Sequence, residues 1–199
     1  FTLTDCMGGS DKYGKITHGE NFTGGGIYLN SSYTTDFVMY GGSVTGNTGA
    51  DAGVCLTYSG NYKKTFTMYG GEITNNTNTY TSSSYPGGGV YVACGNTFTM
   101  TGGKITGNTT ATTGGGVYVE YSLWSGSGIF NVSSDAQITG NYKKDGTTAD
   151  NVYLKSETNG TQAYINVNGA LSDTANISVN VGTIDEGSYK VAAQGSDYT

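Results

Sequence analysis

Tyrosine is the residue whose placement in this chain carries the most chemistry. Tyr28, Tyr91, Tyr118 and Tyr153 each occupy the middle of a short apolar element, Ile-Tyr-Leu, Val-Tyr-Val or Val-Tyr-Leu. With the apolar neighbours turned inward, the four phenols fall on the outer side of successive strands, about 4.8 Å apart, with Cys55 interrupting the row. A flat row of phenol rings suits carbohydrate, because a sugar's C–H face packs on the ring while its hydroxyls bond at the rim. Two irregular stretches, 77–86 and 120–129, flank this row and bring Tyr80, Tyr85, Tyr121 and the single tryptophan, Trp124. Loops that break a repeat's length often carry its binding surface. These eight residues are the candidate glycan-binding face. A purely structural reading stands beside it: cross-strand aromatic pairs stabilise a sheet by roughly 0.2–1 kcal/mol each without any ligand. In that reading Trp124 folds back over apolar surface.

Other chemistry-bearing residues are thinly spread. Asp36, Asp51, Glu72, Glu120, Asp135 and Asp150 fall at different corners of the repeat, whereas glycoside hydrolysis needs carboxyl groups converging on one face. Glu72 and Lys104 share a register one repeat apart, which reads as an exposed cross-strand pair worth little. The lone His18 lies in a loop with no nucleophile next to it and reads as a solvated side chain. Cys6, Cys55 and Cys94 follow no metal-binding spacing and are expected to be free thiols. No catalytic residue, metal or cofactor is expected.

The elements that must position these residues are repeats. Phe98-Thr-Met-Thr-Gly-Gly-Lys-Ile-Thr-Gly-Asn108 is followed by Gly114-Gly-Gly-Val-Tyr-Val119. The same wording returns from Phe66 to Asn76 with 87–92, from Phe37 to Asn47 with 53–56, and in worn form from Phe130 to Asn141 with 151–154. The lead phenylalanines step by 29, 32 and 32 residues, a period that means stacked repeats. Each repeat holds three short apolar runs with period-two alternation, punctuated by glycine or asparagine that tolerate positive φ. No window shows helical periodicity. Three strands and three corners make one turn of a coil, and the expected fold is an all-β, single-stranded right-handed parallel β-helix of about six coils.

The period is continuous, so one domain is expected over 1–199: a first coil at 1–36, regular repeats at 37–162 and a degenerate capping coil at 163–199. Asn47, Asn76, Asn108 and Asn141 recur at one corner and are expected to form an amide ladder through the stack. Thr45, Thr74, Thr106 and Thr139 form another outward row, a pattern shared with ice-binding surfaces. The first-strand positions that should match it are Val38, Thr67, Thr99 and Asn131, so the array is broken. The chain opens in mid-strand, which suggests a piece of a longer protein.

Composition narrows the partners. The net charge is −6, and the 9 basic residues are all lysine. An acidic, arginine-free surface argues against nucleic acid and anionic membranes, which need clustered cations. No apolar run is long enough to span a bilayer as a helix. Charged residues are only 12% of the chain, and polarity comes from Thr, Ser, Asn and Tyr, the texture of an extracellular repeat protein. A monomer is expected, with glycans or proteins of a host or neighbouring cell as partners.

The Phe-Thr-Met-x-Gly-Gly-x-Ile-Thr-Gly-Asn and Gly-Gly-Gly-Val-Tyr-Val wording resembles the right-handed parallel β-helix repeats of large bacterial surface proteins, common in gut Firmicutes. The opening Leu3-Thr-Asp-Cys6 and the closing Gly169-Ala-Leu-Ser172 and Gly195-Ser-Asp-Tyr198 resemble the start and end of such stretches. A weaker similarity links the Gly-Gly-x-Ile/Val element to chlamydial outer-membrane adhesins. The resemblance implies an adhesin-like or scaffold module, secreted or attached to the cell wall, with no catalytic residues. The β-helix also hosts polysaccharide lyases and glycosidases, so a fragment of a secreted polysaccharide-active enzyme is the alternative. Lyases of this shape resemble one another in using an Arg or Lys base beside calcium-binding carboxylates, a cluster this sequence lacks.

Overall fold

The computed structural model describes residues 2–3, 14–21, 25–51, 53–82, 86–157, 161–181 and 192–194. Cys6 and Tyr85, the opening Thr4–Cys6 and the closing Gly195–Tyr198 lie outside them.

Short apolar-flanked runs become strands, and each strand pairs in parallel with its counterpart one repeat on. Four sheets result. The Phe sheet stacks Thr2–Leu3, Thr35–Met39, Lys64–Met68, Thr97–Met100, Ile129–Ser134, Ile165–Leu171 and Ala192–Gln194. The Ile sheet stacks Lys15–Thr17, Ser43–Thr45, Glu72–Thr74, Lys104–Thr106, Gln137–Ile138 and Asn176–Ile177. The Tyr sheet stacks Ile27–Leu29, Val54–Leu56, Val90–Val92, Val117–Val119, Val152–Leu154 and Val179–Val181. The chain is thus all-β, a parallel β-solenoid, with no helix among the described residues. The fully regular part is about four coils rather than six, because the strands of the flanking rungs pair without the complete repeat wording.

A second difference from the sequence reading is a fourth strand in each coil. Glu20–Asn21, Thr48–Gly49, Thr77–Asn78, Thr109–Thr110 and Tyr142–Lys143 form a Thr sheet just past the asparagine corner. Two-residue strands carry too little alternation to be read from sequence. They pair here because the corner before them is locked in register.

That lock is the asparagine ladder, and it extends beyond the four residues expected. Asn47 Nδ2 donates to Asn76 Oδ1 at 2.8 Å, Asn76 to Asn108 at 2.9 Å and Asn108 to Asn141 at 2.9 Å. Asn141 continues to Asn151 Oδ1 at 3.1 Å. Each acceptor oxygen also takes the backbone N–H of the preceding ladder residue. Asn47, Asn76, Asn108 and Asn141 are fully buried, and buried amides are tolerable only when satisfied in this way.

The core inside the coils is a column of like on like. Phe37, Phe66, Phe98 and Phe130 stack with centroid separations of 4.7, 4.7 and 5.0 Å and interplanar angles of 16°, 10° and 2°. Met39, Met68 and Met100 pair in register beside them, as do Val44, Ile73, Ile105 and Ile138 in the Ile sheet. The Gly-Gly corner between these two sheets is forced by close stacking. A Cβ on Gly71 would stand 2.6 Å from Met39 Cε and 2.7 Å from Gly42 O, at a φ of +89°. After Leu154 the strands still pair, but Val167, Ile177 and Val179 are only half-buried against the core.

Candidate functional site

The tyrosine row exists in the register that the spacing predicts. Tyr28 pairs with Cys55, Cys55 with Tyr91, Tyr91 with Tyr118 and Tyr118 with Tyr153. The Tyr118 and Tyr153 rings stack at 5.3 Å and 14°, while Tyr91 and Tyr118 meet at 5.8 Å and 58°. The row is not, however, an open flat platform. Tyr28 is 38% exposed and Tyr118 only 7%; Tyr91 and Tyr153 are half-buried, and Cys55 is fully buried.

Of the carboxyl groups that the sequence scatters over different corners, Glu120 meets Tyr91 and Asp51 meets the neighbouring Cys55. The Tyr91 phenol donates to Glu120 Oε2 at 2.9 Å, and the same oxygen takes the Cys94 N–H at 3.2 Å. Burial first, then the Glu120 carboxylate, pushes the Tyr91 phenol far above its ordinary range. On the neighbouring coil the Cys55 thiol donates to Asp51 Oδ2 at 3.5 Å. Asp51 sits in the left-handed region at φ 50°, which aspartate accepts more readily than most residues. Its Oδ1 has no hydrogen-bond partner among the described residues. Burial raises the Asp51 carboxyl to about 7, the thiol hydrogen bond working against that and the Glu120 charge adding to it. Burial likewise raises the Cys55 thiol, with the Asp51 charge next in weight, and pushes Cys94 up to about 12. Both cysteines are free, buried thiols. Asp150 carries a similar buried carboxyl beside Tyr153, raised by desolvation against the pull of Lys143.

The irregular stretches divide in role. In the first, Tyr80 is half-buried, Pro86 is buried and Tyr85 lies outside the described residues. In the second, Tyr121–Ser122 and Gly126–Ser127 form a small antiparallel hairpin. Tyr121 packs against the core cluster. At the hairpin's tip Leu123 is 54% and Trp124 96% exposed. The tryptophan does not fold back over apolar surface. The hairpin is anchored to the stack by Gly128 N–H to Glu120 O at 2.8 Å and Gly95 N–H to Ser127 O at 3.0 Å.

His18 is exposed, with Nδ1 3.1 Å from Thr17 Oγ1. Glu72 and Lys104 occupy the paired register, both exposed. Among the described residues no group of three or more His, Cys, Asp or Glu side chains could hold a metal ion, and no helix is long and apolar enough to cross a membrane. No known protein family, curated protein or solved structure matches the chain. The contacts missed from sequence, Tyr91–Glu120 and Cys55–Asp51, join irregular corners to the sheet. The only signal for them is that Cys55 breaks a row of tyrosines and an acid precedes it by four residues.

Proposed function

We propose that this chain is a non-catalytic, adhesin-like scaffold module that works outside the cell, attached to a bacterial wall or secreted, and contacts glycans through loop-borne aromatics beside the Tyr sheet. The observation that carries this reading is Trp124, 96% exposed at the tip of a hairpin fixed to a stiff stack. Displaying an indole to water contributes nothing to the fold, whereas an aromatic anchor held by a rigid scaffold suits a contact surface. Tyr91, Tyr118 and Tyr153 act mainly as its support, since their rings pack on one another and the Tyr91 hydroxyl is bonded to Glu120. The acidic, arginine-free composition favours neutral surfaces over nucleic acid. The test is retention of the chain on immobilised mucin and plant polysaccharide, with Trp124→Ala as the comparison. Retention that the variant loses or weakens on at least one of them supports the reading, and retention equal on all of them contradicts it.

One observation favours the second reading, a polysaccharide-active enzyme. Asp51, raised to about 7, and Glu120 both act on the Tyr91 phenol, and a pair of carboxyl groups close together is what glycoside cleavage uses. Against it, Asp51 is 5% exposed and Glu120 is held by Tyr91 and the Cys94 amide, so neither faces a cleft. Release of reducing ends from those polysaccharides, abolished by Asp51→Asn, would favour the enzyme.

A further inference from the structure

On another side of the coil, the Gly-Gly corner between the Phe and Ile sheets holds an open cleft of about 550 Å³, lined by Gly42, Ser43, Gly70, Gly71, Glu72, Gly103 and Lys104. That volume lies within the roughly 300–1,000 Å³ of small-molecule sites. Its origin is steric. Gly42, Gly71 and Gly103, the second glycine of each corner, have φ of 80°, 89° and 86°, and a Cβ on Gly71 or Gly103 would collide with the coil below. The corner therefore has a floor of bare backbone that no side chain can fill.

Tyr40 and Tyr69 come immediately before the Gly-Gly pair of their corners, next in the chain to residues that line the cleft. They stack at 5.0 Å and 8°, parallel along the solenoid axis, and are 57% and 51% exposed. The stack then stops. In the next coil the position is Thr101, whose N–H bonds to Met68 O as the Tyr69 N–H bonds to Met39 O. No ring covers the far face of Tyr69 among the described residues. Glu72 and Lys104, three residues on from Tyr69 and Thr101, line the cleft and stand opposite each other in the ladder yet outside ion-pair distance. The one ion pair among the described residues is Lys155–Glu157. Neither Glu72 nor Lys104 has a side-chain hydrogen bond there, and the hydroxyls of Tyr69 and Ser43 are equally unengaged.

We propose that this corner is a carbohydrate-binding cleft in which a neutral pyranose continues the Tyr40–Tyr69 stack over Thr101, its hydroxyls bridging the Glu72 carboxylate and the Lys104 ammonium. The spacing fits: one further ring at the coil repeat of about 4.8 Å lies where a sugar packs on an aromatic face. The charge fits as well. One acceptor and one donor side by side suit a vicinal diol, while a net charge of −6 repels polyanionic glycans. The cleft lies on different sheets from the Trp124 hairpin and does not depend on it.

Calorimetric titration with cellohexaose, mannohexaose, xylohexaose and maltohexaose, with oligogalacturonate as an acidic control, tests the assignment. At least one neutral hexaose binds, and oligogalacturonate does not. Tyr69→Ala weakens that binding by about tenfold or more, and Lys104→Ala by about threefold or more. Both positions are exposed, so both variants stay folded, Lys104→Ala at the wild-type thermal midpoint and Tyr69→Ala a few degrees lower at most for the lost stack on Tyr40. Trp124→Ala leaves this binding unchanged. Absence of binding to all four neutral sugars, binding indifferent to Tyr69→Ala, or loss with Trp124→Ala instead would each overturn the cleft. The last of these would return the sugar to the hairpin and leave the adhesin-like reading standing.

Discussion

Asp51 is the residue at which this fold is most exposed to pH. Its carboxyl is buried against Cys55, with Tyr91 and Glu120 nearby, and is raised from 3.8 to about 7. Because the folded value lies above the unfolded one, the native chain holds more protons than the unfolded chain between those two values. This group's contribution to stability is therefore fully present below about pH 4, declines as pH rises and has been lost above about pH 7. Asp150, raised in the same direction, adds to the trend. Asp51→Asn keeps an acceptor for the Cys55 thiol and removes the ionisation, so it flattens the pH dependence and raises the thermal midpoint at pH 7. Thermal melts of both forms from pH 4 to 8 check this; parallel curves would contradict it. The thiols make a second prediction at the same scale. Cys55 and Cys94 are buried and held protonated, so iodoacetamide at pH 8 leaves both untouched in the native chain and alkylates both after denaturation, as read by peptide mass.

At the scale of single elements, the asparagine corner and the Tyr sheet bear different loads. Asn108 donates to Asn141 and to the Ile73 carbonyl, and accepts from the Asn76 side chain and backbone. Asn108→Ala strands buried donors and acceptors in two coils and lowers stability by about 2–4 kcal/mol. Urea denaturation checks this, with a fall below about 1 kcal/mol as the contradicting result. Tyr118 is 7% exposed and stacked on Tyr153, so Tyr118→Ala leaves a cavity costing about 3 kcal/mol. Trp124→Ala, at a fully solvated tip, costs less than about 0.5. If the two variants unfolded alike, the burial described for the Tyr sheet would be wrong.

The same contrast explains how far the sequence could be read. The phenylalanine column, the asparagine ladder and the tyrosine register all follow from residues recurring at fixed places in a period, because in-register parallel stacking puts like on like. The two-residue Thr-sheet strands were not legible, being too short for any alternation. Nor was the burial of Tyr118, or the Tyr91–Glu120 and Cys55–Asp51 contacts, which depend on irregular corners of unequal length. Its loop alone marks Trp124 as a candidate for the glycan-binding face. The full exposure of the indole depends on a hairpin of two-residue strands whose pairing leaves no periodic trace.

At the scale of the whole molecule, the solenoid is a stiff column with distinct faces. The inner column and the asparagine corner are closed to ligands. The hairpin beside the Tyr sheet and the Gly-Gly corner between the Phe and Ile sheets offer aromatic surface to water. Repeat proteins of this kind gain rigidity from neighbour-to-neighbour contacts and carry their variable chemistry at the loops, which is the division of labour that an adhesive or display module needs. The most direct test is a glycan array probed with the wild-type chain and with Trp124→Ala, the two matched for thermal midpoint. Wild-type binding to a defined glycan, lost in the variant at unchanged stability, is the predicted result. Silence across mucin, plant and host glycans, or a set of bound glycans that is the same with and without the indole, would contradict the hairpin as the contact surface.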